Sequence, residues 1–229
     1  MYILTEIIGV ISEVLIIYLF IQGVFLEKEH PRWVTFCFFI AYGFGLLILS
    51  FMNDAAYLRI LFCGSGILLL VLLLFEAKLI QAVFMGISFC AIYMMIDILI
   101  MLLASLLHID SDLIMSHSIS RCVYIATTHI FLLVAISVVL CFVRHKSSAI
   151  TFRFVLVLSP GYIMSIWLGL SFCQFLQNSD NDLPLPFLYA SIALLYMNIL
   201  LVFYAQQAKI SADKQREIAV SYTHLRAHE

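Results

Sequence analysis

The sequence predicts an all-α fold: a polytopic membrane helix bundle of about seven transmembrane helices, amino terminus outside and carboxyl terminus in the cytoplasm. Three observations carry this expectation. Apolar runs fill the chain almost end to end, the loops between them are short, and those loops alternate in charge. Hydrophobic residues make up 64% of the 229 positions, charged residues only 11%, and the mean hydropathy is +1.10. A water-soluble fold could not cover that much apolar surface with so few charges.

A helix needs roughly 20 apolar residues to cross the hydrocarbon core. The first run, 3–26, lacks a basic leader and contains Glu6 and Glu13, so it reads as a span and not as a cleaved signal peptide. The second, 34–52, carries Ala41 and Gly45 four residues apart, and the third covers 57–75. The fourth, 79–107, is long for one crossing, which implies tilt or extension past the outer surface; it repeats Ala82, Gly86 and Cys90. The fifth is 119–143. The sixth, 152–176, has Pro160 near its start, where the missing N–H should bend it, and a stripe of Gly161, Ser165, Gly169 and Cys173. The seventh is 185–205. Small residues at this spacing line one helix face and let backbones approach closely. Continuous apolar blocks exclude a transmembrane barrel, whose strands alternate in short segments.

Lys and Arg set the orientation. With the carboxyl terminus inside, the inner loops and tail hold Lys28, Arg32, Lys78, Arg144, Lys146, Arg153, Lys209, Lys214 and Arg216. The outer side holds only Arg59 and Arg121, with Asp54, Asp110, Asp112, Asp180 and Asp182. The formal net charge is −2 and no basic patch lies outside the inner loops, so no nucleic-acid partner is expected. Cys37, Cys63, Cys90, Cys122, Cys141 and Cys173 form no CxxC pair and read as small hydrophobes, with no metal site expected. The outer loops near 108–118 and 177–184 are short and acidic, and read as polar connectors.

Ionisable groups at membrane depth are costly, and each is a default site residue. Glu13 and His129 are expected near mid-membrane, Glu6 near the outer surface, Asn198 deeper toward the cytoplasm, and Asp97 in the outer half of the fourth span. A Glu13–His129 pair would be satisfied without water and poised to titrate; the alternative is that both are hydrogen-bonded and only fix helix register. Asp97 has Tyr93 one turn before it as a bonding partner. Protease motifs such as HExxH, GxSxG or paired Asp are absent, and no lysine sits mid-span in the last helix to hold a retinal.

Composition changes at about residue 204. From Tyr204 to Ala219 the chain is polar, free of Gly and Pro, and rich in helix formers, so the last span should continue into a cytoplasmic helix. Tyr204, Gln207, Ile210, Lys214 and Ile218 lie along it, and a weak heptad seam runs through Leu201, Ala205, Ala208, Ala212, Gln215 and Ala219. The chain thus divides into a bundle over 1–203, a linker helix over 204–220 and a final 221–229. That last stretch resembles translated adapter read-through, which leaves His224 and His228 without meaning and implies a reading frame cut near residue 220.

This layout resembles the amino-terminal half of bacterial peptide-sensing histidine kinases of the staphylococcal Agr-receptor type, the branch with a GHKL ATPase domain. The stretch that carries the resemblance is Leu195-Tyr-Met-Asn-Ile-Leu-Leu-Val-Phe-Tyr204 with the following polar helix through Ile218. The resemblance covers architecture over residues 1–219 and no specific motif. It implies a sensor bundle in the bacterial cell membrane, a homodimer, an extracellular signal of peptide type, and a response regulator served by a kinase domain beyond residue 220. The catalytic residues, with ATP and Mg as cofactors, would all lie in that domain; within this chain no catalytic residue and no cofactor is expected. Two other readings stay open: a small-solute or ion transporter using Glu13, His129 and Asp97, and a non-catalytic membrane anchor. Topology is directly testable. Reporter fusions after residues 180 and 210 should report opposite sides of the membrane; a shared side would remove the last span.

Overall fold

The computed structural model describes residues 2–52, 56–107, 119–143, 160–171, 189–198, 200, 211, 214 and 215, and among them the chain is all helical with no strand. The named helices are α1 (Tyr2–Val24), α2 (Arg32–Ser50), α3 (Ala56–Leu74), α4 (Leu79–Leu106) and α5 (Ile119–Val143). Residues 160–171 and 189–198 are helical too, and so are the described parts of the sixth and seventh expected spans. Four helices, α1, α2, α4 and α5, are long and apolar enough to cross a membrane, and α3 contributes the shorter apolar stretch Leu58–Leu74. The surface agrees with this. Ile3, Leu4, Ile8 and Leu15 on α1, and Trp33, Phe36, Phe44 and Ile48 on α2, are exposed. A surface as apolar as the core is stable against lipid, not against water. The chain is a membrane protein.

The helices pack in a cycle: α1 on α2, α2 on α3, α3 on α4, α4 on α5, and α5 back on α1. The closing contact is parallel. Thr5 Oγ1 meets Cys122 Sγ at 3.0 Å, Ser12 Oγ meets His129 Nδ1 at 2.6 Å, and a side chain at Gly23 would collide with Leu140. Each pair has the same sequence offset. A register held over the whole helix length is the signature of a shallow crossing with a heptad-like seam.

Glycines set the other interfaces. Between α2 and α3, Gly45 leaves room for the Phe62 ring and Gly66 for the Tyr42 ring, and these two rings stack at 5.6 Å. Between α3 and α4 the backbones themselves touch, since a Cβ on Gly86 would lie 3.1 Å from the Gly64 carbonyl oxygen. The expected stripe of Ala82, Gly86 and Cys90 is therefore buried at this interface, whereas Ala41 is exposed and only its companion Gly45 packs. In the 160–171 helix, Gly169 faces Met94 and Ile98 of α4, and Ser165 is fully buried. Pro160 stands at the first described residue of that helix, and Cys173 lies outside the described residues.

At the far end from Tyr2, two loops are tied together. Lys28 N donates to Leu74 O at 2.9 Å and Glu76 N to Leu26 O at 2.8 Å, around an isolated bridge between Glu27 and Phe75. Lys28 Nζ donates to Leu72 O at 2.6 Å, which satisfies a carbonyl left open by the end of α3. Gln81 Oε1 accepts from Lys78 N at 2.9 Å and caps the start of α4. Thr35 Oγ1 donates to Glu27 at 2.6 Å and therefore accepts from His30 Nε2, 2.7 Å away.

Because rigid backbone opposes Gly86 while only a methionine tip opposes Gly169, the two sites should differ in tolerance. Gly86→Leu is expected to destabilise the bundle by about 1–3 kcal/mol through overpacking, and Gly169→Ala by less. Thermal unfolding in detergent checks the order. Equal losses would mean that the α3–α4 backbone contact is not the tighter one.

Candidate functional site

The seven-residue spacing of Glu6 and Glu13 puts both carboxylates on the inner face of α1, and both side chains are buried. Each is neutralised by an arginine from another helix. Arg59 Nη2 of α3 donates to Glu13 Oε2 at 2.7 Å. Arg121 Nε and Nη2 of α5 both approach Glu6 Oε1 at 2.6 Å. These arginines correct the sequence reading, which counts them with the outer loops. They stand in the opening turns of α3 and α5, and their long side chains turn inward to the carboxylates.

Arg59 also displaces the expected partner of Glu13. The Glu13–His129 pair does not form; His129 Nδ1 lies 2.6 Å from Ser12 Oγ instead. Ser12 gives its own proton to Gly9 O at 2.8 Å, so its oxygen accepts and His129 carries the Nδ1 proton. Asp97 likewise bonds elsewhere than expected. Its Oδ1 accepts from the Tyr124 hydroxyl at 2.5 Å, across from α5, and Tyr93 is not its hydrogen-bond donor. The physical reason is common to both corrections. A guanidinium or a phenol from a facing helix points straight at the carboxylate, whereas the neighbour chosen from sequence lacked that direction.

These groups converge. The Glu13 carboxylate lies within electrostatic reach of Tyr42 on α2, Cys63 on α3, Tyr93 and Asp97 on α4 and His129 on α5. Every other helix of the ring thus presents a polar group to it, although the sequence shows no charged stripe through several spans. Nearer Tyr2 follow the Glu6–Arg121 pair and the Thr5–Cys122 contact. Toward the loop end the interior changes character. Ile17, Phe20, Ile67, Leu70, Phe89 and Ile136 are buried there as one apolar cluster. Ser88 at this level returns its hydroxyl to Phe84 O. The charged groups therefore gather in the half of the ring that carries the start of α1, and the buried residues of the other half are mostly apolar, with Thr35, Gln81 and Ser88 among them.

Asn198 belongs to a separate cluster. Its Nδ2 donates to Ser165 Oγ at 2.9 Å, Ser165 donates to Gly161 O at 3.0 Å, and the Tyr162 hydroxyl donates to Asn198 O at 3.3 Å. This joins the 160–171 and 189–198 helices, and the Tyr162 ring meets Phe84 of α4 edge-on at 5.5 Å. Tyr204, Gln207, Ile210 and Ile218 of the linker helix lie outside the described residues; Lys214 is helical and exposed. Among the described residues no His, Cys, Asp and Glu side chains group as a metal site. No protein-family model, curated protein or solved structure matches the chain.

The arginine partners were hidden by their place near helix ends. The available signal was count: two buried carboxylates on α1 require two cations, and Arg59 and Arg121 are the only basic residues on that side of the sequence. Breaking a buried pair leaves an uncompensated charge. Arg59→Met should cost about 3 kcal/mol, the lower end of that class, because Arg59 is 31% exposed while Glu13 is fully buried. Adding Glu13→Met in the same chain should recover most of the loss. Chemical or thermal unfolding of the three variants checks this, and additive losses would mean the two side chains do not interact.

Proposed function

We propose that residues 1–203 are the membrane sensor bundle of a two-component histidine kinase, receiving an extracellular signal and passing it through the 204–219 helix to a cytoplasmic kinase domain. The observation that carries this reading is the one-sided interior. The charged groups Glu6, Glu13, Asp97, Arg59 and Arg121 all gather in one half of the ring, and the buried residues of the other half are mostly apolar. A transporter needs polar groups reachable from both sides, so this one-sidedness favours a receptor over that alternative. The excess of Lys and Arg at the loop end, Lys28, Arg32 and Lys78, turns the polar half outward under the positive-inside rule.

The bundle then has seven spans with an outer amino terminus, acts as a homodimer in a bacterial cell membrane, and reports through a response regulator. ATP and Mg act in the domain beyond residue 220. A ligand biases the bundle only by binding two arrangements unequally, and buried ion pairs linking three helices give two arrangements different energies.

The coding sequence past codon 220 tests the class: a phosphoacceptor histidine box followed by a GHKL domain is expected, and a prompt stop codon would overturn the reading. In the full-length parent, one Ala inserted after Ala208 rotates everything downstream by about 100°. Basal autophosphorylation or the ligand response should change at normal expression, and a seven-residue insertion should restore it approximately. Wild-type behaviour from both insertions would make the helix a passive tether.

A further inference from the structure

Cys63 of α3 and Cys90 of α4 are 3% and 4% exposed, and their side chains hydrogen-bond to each other across the interface. The packing around them is close. A Cβ on Gly64 would lie 3.4 Å from Cys90 Sγ, and one on Gly86, a turn before Cys90, would lie 3.1 Å from Gly64 O. A disulfide joins Cα atoms about 4.4–6.8 Å apart, and these two glycines supply the close backbone approach that this requires. The Tyr42 hydroxyl of α2 reaches the same place, hydrogen-bonding the Cys63 side chain and lying 3.5 Å from Cys63 O. The other described cysteines are placed differently: Cys37 and Cys141 are exposed, and Cys122 meets Thr5.

We infer that Cys63 and Cys90 are a redox pair that a hydroperoxide closes to a disulfide, locking α3 to α4. In the first step one sulfur attacks the peroxide. An S–O bond forms, the O–O bond breaks, and the thiol proton leaves on the departing oxygen as water or an alcohol. The second sulfur then attacks the sulfenic acid; the S–S bond forms, the S–O bond breaks, and its proton leaves with the hydroxyl as water. Two electrons pass from the sulfurs to the peroxide, and no net proton is gained or lost. Hydrogen peroxide is small and uncharged, which suits a pair enclosed by apolar helices. Thiols in apolar surroundings ionise poorly and react slowly, so the pair closes at a high peroxide load and ignores a low one. The Tyr42 hydroxyl steadies negative charge developing on the Cys63 sulfur, as any donor favours a thiolate. Arg59 lies one turn before Cys63 on α3, so the link also holds the helix that supplies the partner of Glu13. The link forms whatever domain follows residue 220.

The test uses the purified full chain in lipid nanodiscs, with hydrogen peroxide raised until Cys37 or Cys141 is oxidised. The protein is then alkylated, digested and read by mass spectrometry. Linked peptides bearing Cys63 and Cys90 should be the main disulfide product and should vanish with dithiothreitol, whereas the chain unfolded in SDS should give mixed pairs. The oxidised protein should unfold about 5–10 °C above the reduced one. Cys63→Ser, which keeps a small polar side chain, should show neither link nor shift, and Cys90→Ser serves if that variant does not fold. Absence of the Cys63–Cys90 link at that dose, or the same mixture of pairs as in SDS, would overturn the pair. A link without a rise in the midpoint, or an equal rise in the serine variant, would overturn the lock.

Discussion

A carboxylate buried in the middle of an apolar helix ring needs a counter-charge, and the organisation of the polar half follows from meeting that need at Glu13. Its partner, Arg59, comes from α3, which is not adjacent to α1 in the cycle of packed helices. The pair therefore crosses the interior. It fixes the rotation of α1 and α3 together, because turning either helix by one residue would withdraw one charge and strand the other. Such a pair adds little net stability over apolar packing of the same volume, but losing one member is costly. Its effect is to select one arrangement of the ring.

The parallel α1–α5 seam carries the same constraint along the helix axis. Thr5–Cys122, Glu6–Arg121 and Ser12–His129 hold the polar half in register, and the Gly23–Leu140 contact holds the apolar half. Hydrogen bonds are directional and apolar packing is not, so the two halves resist motion differently. The apolar half is held by shape, with Gly86 against the Gly64 backbone and Gly23 against Leu140, and the polar half by directional bonds. The tied loops at the other end, with Lys28 on the last carbonyls of α3, form a stiffer base.

The sequence alone determined the membrane environment, the limits of the first five helices to within a few residues, the shared helix face of Glu6 and Glu13, and the packing role of Gly86 and Gly169. These follow from hydropathy and helical period, which are local. It did not determine which groups meet. Glu13 with Arg59 in place of His129, Asp97 with Tyr124 in place of Tyr93, and the mostly apolar interior toward the loop end depend on helix order around the ring and on the rotation of each helix. Depth along a helix can be counted from sequence, but direction around it becomes meaningful only when a neighbour is in place. A long arginine can then reach inward to a carboxylate that its position near a helix end gives no reason to assign to it.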